Sequence, residues 1–291
     1  MNEQIYHGKL VNSNRILYTA SRFAKEHLVY LQEVGELHAL KQHISRREQL
    51  NSFLFFIILD GEGTLQVENE IYSIGKGYCV FIDCQNPYSH KSSKEHPWHL
   101  FWVHFYGPTM EGIYKKYMIR GGQPCYQTDD MEAYRTILQT IYQTAKLDSH
   151  VRDMIIFEKL AALLTMTMIE SHRNETYIER NTLAKTRLLN IKSYLDAHYT
   201  EKISLSNLEQ KFYINKYYLT RIFKENFGIS INSYLIQKRI TQAKYELRFT
   251  DKTIEEIGHT CGMADASYFN RVFKKIEGIS PREFRKLWSR S

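Results

Sequence analysis

A chain of 291 residues, 43% hydrophobic and 24% charged, with a formal charge of +7, has the make-up of a folded protein of about two domains. Disordered, collagen-like and coiled-coil classes are excluded on that ground. Its longest apolar run, residues 53–59, is strand length and far short of the roughly 20 residues of a membrane span, so no membrane partner is expected. The N-terminus lacks the basic segment and apolar stretch of a signal peptide. Cys79, Cys84, Cys125 and Cys261 show neither a CxxC pair nor zinc-finger spacing, which fits reduced thiols in a cytoplasmic protein.

The first third alternates short apolar runs with turn residues. Residues 53–59 lead into Asp60-Gly61-Glu62-Gly63, residues 64–67 into Glu68-Asn69-Glu70, and residues 71–74 into Gly75-Lys76-Gly77; residues 78–83 and 98–105 are further strand candidates. Short strands between tight turns predict an antiparallel β-barrel over about residues 10–108. Then the period changes. Tyr134, Ile137, Leu138, Ile141, Tyr142 and Ala145 form a stripe of helical spacing. Residues 151–169 form a second helix, apolar on more than one side through Met154, Phe157, Ala161, Leu164 and Met168. Such a helix needs two surfaces to bury against: the barrel, and either a second copy of the chain or more of its own domain. Residues 171–185 are polar and aperiodic and read as a linker, which sets the expected domains at 1–170 and 186–291. From Thr186 onward the pattern is helical.

Charge is unevenly spread. From Lys185 to the end there are 20 Lys+Arg against 11 Asp+Glu, a net of +9, while the first 184 residues hold 19 against 21, a net of −2. That is the distribution of a nucleic-acid footprint, although a solvated basic face has the same composition.

The same region repeats at an offset of 50: Tyr218-Leu219-Thr220-Arg221-Ile222-Phe223-Lys224 recurs as Tyr268-Phe269-Asn270-Arg271-Val272-Phe273-Lys274, and Gly228-Ile229-Ser230 as Gly278-Ile279-Ser280. In each copy Asn215 or Asp265 can cap a helix start, and Gly228 or Gly278 can end the helix in a left-handed conformation. A short helix with Leu205 and Leu208, or Ile254 and Ile257, precedes each unit. Helix, short turn, helix, twice, matches a helix-turn-helix whose second helix enters the DNA major groove. At about 100° per residue, Tyr217, Thr220, Arg221 and Lys224 point away from the Leu219/Ile222/Phe223 face, with Lys216 beside them. In the second copy Ala266, Ser267, Asn270, Arg271 and Lys274 do the same. Arg can pair bidentately with guanine, Asn with adenine and Ser or Thr with either, and Ala or an aromatic ring can pack on a thymine methyl. Lysine more often finds phosphate.

On these residues, 203–286 resembles the paired helix-turn-helix domain of the AraC/XylS family of bacterial transcription regulators. The most specific block runs from Gly262-Met263-Ala264-Asp265-Ala266-Ser267 through Phe273-Lys274 to Gly278-Ile279-Ser280-Pro281-Arg282-Glu283-Phe284-Arg285. The resemblance implies that Tyr217, Thr220 and Arg221, and Ala266, Ser267, Asn270 and Arg271, are base-reading positions. It also implies double-stranded DNA and RNA polymerase as partners. Gly258 and Met263 replace the family's usual Ala and Phe, and Glu209 and Tyr213 replace a small residue and the turn glycine of the first unit. A tyrosine at a turn that needs positive φ carries strain, which predicts a reshaped first turn.

Residues 53–80 and 97–105 resemble the cupin-type barrel of the sugar-responsive branch of that family. In that branch the barrel binds a small effector, the helices that follow dimerise, and an N-terminal arm changes position with ligand. Arg47, His90 and Trp102 fall near its sugar-holding positions. Arg and His can bond hydroxyls and an indole can stack on a pyranose, while Trp102 as plain core and Arg47 as a surface charge is the alternative. A metal-dependent cupin enzyme is the rival reading, but His96, His99 and His104 form no His-x-His, and residues 99 and 104 would face opposite ways along a strand. The expectation is therefore an α+β chain of two domains: an N-terminal cupin-like antiparallel β-barrel with a helical dimerisation pair, and a C-terminal all-α double helix-turn-helix. Its expected function is that of a homodimeric, effector-controlled transcription regulator, most simply an activator, without enzymatic activity, metal or cofactor. A regulator that binds DNA but no small ligand is the alternative.

Overall fold

Eleven strands and eleven helices lie among the residues that the computed structural model describes, 4–7, 10–171 and 178–288. They divide into two units, Met1–Tyr177 and Ile178–Ser291.

In the first unit the strands are β1 (Gln4–His7), β2 (Val11–Leu17), β3 (Tyr30–Ala39), β4 (Ile44–Arg47), β5 (Phe53–Asp60), β6 (Glu62–Val67), β7 (Glu70–Gly75), β8 (Tyr78–Asp83), β9 (Tyr88–Ser92), β10 (His99–Tyr106) and β11 (Cys125–Gln127). They form a seven-stranded sheet, β1-β2-β3-β10-β5-β8-β11, and a four-stranded one, β4-β9-β6-β7, in which every pair is antiparallel. The unbroken apolar run of β5 has a simple cause: both faces of the strand are covered. Leu54, Phe56 and Ile58 join Leu65, Ile74 and Tyr88 of the small sheet in one core. Phe53, Phe55 and Ile57 join a second core on the opposite face. β10 splits likewise, Leu100 and Trp102 to the first core and Phe101, Val103 and Phe105 to the second.

The second core is closed by helices: α1 (Arg22–His27), α2 (Met110–Ile119), α3 (Met131–Lys146) and α4 (Arg152–Glu170). α3 buries Tyr134, Leu138, Ile141, Tyr142 and Ala145, the stripe expected from its spacing. α4 buries Ile156, Leu160, Leu163, Leu164 and Thr167, leaving Met154 exposed and Phe157, Ala161 and Met168 half-buried. Leu164 sits in the second core and Phe157 and Met168 pack against it, so of the apolar positions that mark α4 in the sequence only Met154 is exposed.

The second unit holds α5 (Ile178–Ala197), α6 (Leu205–Phe212), α7 (Lys216–Phe227), α8 (Ile231–Phe249), α9 (Ile254–Thr260), α10 (Ala266–Glu277) and α11 (Pro281–Trp288). α8 is its spine. Ile231 and Leu235 belong to a core with α6 and α7, and Ile240, Ala243 and Leu247 to a separate core with α9, α10 and α11. Residues 178–185, read above as linker, are helical backbone at the start of α5. Their polar residues include Glu, Arg and Lys, and with Leu and Ala these are good helix formers, so polarity alone misled there. Residues 172–177 of that segment lie outside the described residues. Among the described residues no helix is long and apolar enough to cross a membrane.

Candidate functional site

Both outward helices start on side-chain caps. Asn215 Oδ1 accepts from the amides of Tyr217 and Tyr218 at 3.0 and 3.3 Å, and Asp265 Oδ1 accepts from the Tyr268 amide at 2.8 Å. Both end on left-handed glycines, Gly228 and Gly278, with φ of 75° and 80°. Between these stops Leu219, Ile222 and Phe223, or Phe269 and Phe273, are buried. That leaves the faces named from the sequence outward: Tyr217, Arg221 and Lys224 are exposed on α7 with Lys216 and Thr220 half-buried, and Ser267, Asn270, Arg271 and Lys274 are exposed on α10 with Ala266 half-buried. Each arginine lies over the tyrosine three positions before it, Arg221 at 5.5 Å from the Tyr218 ring and Arg271 at 5.8 Å from that of Tyr268. Thr220 Oγ1 donates to the Lys216 carbonyl and Asn270 Nδ2 to that of Ala266, both at 2.8 Å. That bond uses one of the two Asn270 amide N–H groups, so the second N–H and Oδ1 are not taken up by it.

The turns differ. In the second unit Gly262 takes the left-handed position at φ 79°. In the first, Tyr213 takes it at φ 51° and ψ 46°, with its side chain 92% exposed. The predicted reshaping does not remove the left-handed residue; the tyrosine adopts it, at a cost of roughly 1–2 kcal/mol. Glu209 also contributes, its Oε1 accepting from the Lys216 amide at 3.1 Å and so tying the first helix to the start of the second.

In the first unit, Arg47, His90 and Trp102 line one cavity of about 80 Å³ together with Arg15, Glu33, His43 and His104. His90 and Trp102 are buried and Arg47 is exposed at the rim. Gly35 makes room for Trp102: a β-carbon there would stand 2.5 Å from the indole. The indole is not bare, because the Arg15 guanidinium lies 5.4 Å from its centre, held by an ion pair of 3.3 Å to Glu33. Burial, with the nearby charges of His43, Arg47 and His104, pushes His90 down to about 3. Burial, then Arg47, pushes His104 down to about 4, and burial, then Arg15, also lowers His43. All three imidazoles are therefore neutral near pH 7, each with one donor and one acceptor nitrogen. His104 Nδ1 shares a hydrogen bond of 2.9 Å with Ser52 Oγ, but the buried Nδ1 atoms of His43 and His90 meet no protein partner.

His99 lies on the other face of β10, where it meets Glu36 and His38 of β3. The sequence reading missed Arg15, Glu33 and His43 in the cavity and Glu36 and His38 beside His99. Each comes into place through strand register, which local spacing does not reveal.

Comparison with known proteins places both units. Residues 31–164 match the model of an AraC-like ligand binding domain, and residues 208–287 that of a helix-turn-helix domain. The chain belongs to the AraC/XylS family of transcription regulators. It is 24% identical over 237 residues to the Msm operon regulatory protein of Streptococcus mutans, covering 81% of this chain and 84% of that protein. It is 33% identical to the uncharacterized HTH-type transcriptional regulator YisR of Bacillus subtilis, over 51% of this chain and 49% of the relative. Against the HTH-type transcriptional activator RhaS of Escherichia fergusonii the identity is 28%, over 43% and 45%. The chain thus spans most of the first relative and about half the length of the other two. As an AraC/XylS protein it is a DNA-binding regulator with a ligand-binding domain, and α7 and α10 are the second helices of its paired helix-turn-helix.

Proposed function

We propose that this chain binds operator DNA through α7 and α10 and that a small polyhydroxylated effector, with sugars the first candidates, controls it from the barrel cavity. The observation that carries the effector reading is the pair of buried Nδ1 atoms on His43 and His90 without a protein partner, since buried polar atoms need a hydrogen bond. Neutral imidazoles donate and accept, as hydroxyls do, and Arg47 adds a donor at the rim. The cavity's 80 Å³ corresponds to roughly five to eight water positions, which limits the occupant to a small molecule. Trp102 supplies an apolar wall, though an occupant stacking on its Arg15 side must displace that guanidinium.

Base reading falls to Tyr217, Thr220, Arg221, Ala266, Ser267, Asn270 and Arg271, and phosphate contact to Lys216, Lys224 and Lys274. The two helices then occupy successive major grooves about 34 Å apart. Two chains pair through α3 and α4, where Met154 and Ile169 remain exposed, as does Val151 at the N-cap of α4. RNA polymerase is the partner of an activator, the role named for the Escherichia fergusonii relative. In this reading the chain is a cytoplasmic regulator and not an enzyme. An effector must bind two arrangements of the molecule unequally to shift anything, and binding the native state raises its melting temperature. A thermal-shift screen of the full chain against sugars and polyols should yield one that raises Tm. Trp102→Ala should lose that shift and the ligand's effect on DNA binding while keeping ligand-free DNA affinity. If no sugar or polyol shifts Tm, the effector reading fails and a regulator whose barrel makes only protein contacts takes its place.

A further inference from the structure

The two faces of the β3–β10 pair carry different chemistry. One face, with Gly35, Leu37 and Trp102, looks into the cavity. On the other, the antiparallel register sets His99 directly opposite His38 and Phe101 opposite Glu36. Side chains opposite each other in such a pair share a face, and residues two apart on one strand share it too. Glu36, His38 and His99 are thereby gathered on the face that also carries Phe101 and Val103 of the helix-side core. Their imidazole rings stack at 3.6 Å, His99 Nε2 lies 2.7 Å from Glu36 Oε1, and one ligand atom from each of the three falls within 4.8 Å of the others. Glu36 and His99 are half-buried and His38 is exposed, so the side away from the sheet is open to solvent.

We propose that Glu36, His38 and His99 form a binding site for a divalent transition-metal ion, with Zn²⁺ as the reference ion. Two imidazoles and one carboxylate are the donor set of three-ligand zinc sites, in which water fills the remaining position. Softer or harder sets would favour copper(I), or magnesium and calcium. Three ligands with an open side make the ion exchangeable. The scaffold is rigid where it matters, because two ligands sit on one strand and the third on its hydrogen-bonded neighbour. The site is separate from the effector cavity and does not depend on it, although both are built on β3 and β10. Arg135 of α3 lies within electrostatic reach of Glu36 and opposes the incoming charge, which places the affinity below that of an all-anionic site.

The test is a titration of chelator-stripped, full-length protein with Co²⁺, followed by its visible absorption and by metal content after gel filtration, with Zn²⁺ as competitor. Wild type should take up one Co²⁺ per chain and release it to Zn²⁺. Loss of a mere supporting partner of a metal ligand weakens binding about 10–100-fold, so His99→Ala should weaken it by more than about 100-fold. His38→Ala, at an exposed position that does not threaten folding, should do the same, with circular dichroism as the check on both. Glu36→Gln should weaken uptake and alter the cobalt spectrum, while His259→Ala in the other unit should change nothing. Wild type without saturable uptake would show the cluster to be only a hydrogen-bonded network and overturn the proposal. Uptake unchanged in folded His38→Ala and His99→Ala would overturn it as well.

Discussion

The first and second helix-turn-helix units share their caps, their glycine stops and an arginine over a tyrosine, yet they meet the same turn requirement with different residues. In the second, Gly262 sits at φ 79° with no room to spare: a β-carbon there would stand 2.4 Å from the Thr200 carbonyl oxygen. In the first, Tyr213 holds the same left-handed region with its side chain in solvent. Glu209, where a small residue is usual, bonds the Lys216 amide, while Gly258 in the second unit lies against Phe269, a β-carbon at that position reaching 3.1 Å from its ring. One turn is packed and the other is strained but open. A left-handed position is thus not reserved for glycine unless a neighbour also excludes the β-carbon.

The largest expected effect follows from that distinction. Gly262→Ala adds both positive-φ strain and a clash with backbone, and should destabilise the second unit by roughly 2–5 kcal/mol. Hydrogen exchange on the full chain should show faster exchange of α9 and α10 amides, with α6 and α7 less affected. Unchanged protection in α9 and α10 would mean that the Thr200 segment yields easily and that the two turns do not differ as described.

A smaller effect separates the reading faces. Arg221 lies 3.7 Å from Glu225, whereas Lys275 occupies the corresponding place in α10 and no carboxylate pairs with Arg271 among the described residues. With a site selected from random DNA, Arg271→Ala should cost about 1–3 kcal/mol at one base step and relax preference there. Arg221→Ala should cost up to about 1 kcal/mol less, the worth of an exposed ion pair that binding must break. Lys274→Ala should weaken all sequences alike and flatten the salt slope by about 1. Uniform losses from both arginine variants would remove them from base reading.

The contrast also marks what the sequence makes legible. The repeat was visible because caps, stops and buried positions of a helix lie within a few residues of one another, and the α3 stripe and the strands β5 to β8 and β10 were visible for the same local reason. Arg47, His90 and Trp102 were reached through resemblance, and the structure brings them to one cavity. Arg15, Glu33 and His43 were not seen, because they arrive from β2, β3 and the residue before β4 through pairings that join distant segments. The same holds for Glu36, His38 and His99: a search for His-x-His along one strand passes over Glu36-x-His38 and cannot see the histidine opposite. Short or polar elements, α1, α2, β4, β9 and β11, carry too little periodicity to stand out. The start of α5 was hidden by polarity alone.

The smallest effect tests the strained turn itself. Tyr213→Gly removes the left-handed strain of a residue whose side chain makes little packing contact. The gain is partly offset by the greater entropy of glycine in the unfolded chain, so a net stabilisation of about 0.5–1 kcal/mol is expected. It should appear as slower exchange of α6 and α7 amides with α9 and α10 unchanged. A destabilised first unit would show that the exposed ring contributes packing that outweighs the strain. If stability rises but DNA affinity falls, the ring has a use on DNA, since Tyr213 lies three residues before the first helical residue of α7. That outcome would explain why a tyrosine occupies a position that glycine would fill at lower conformational cost.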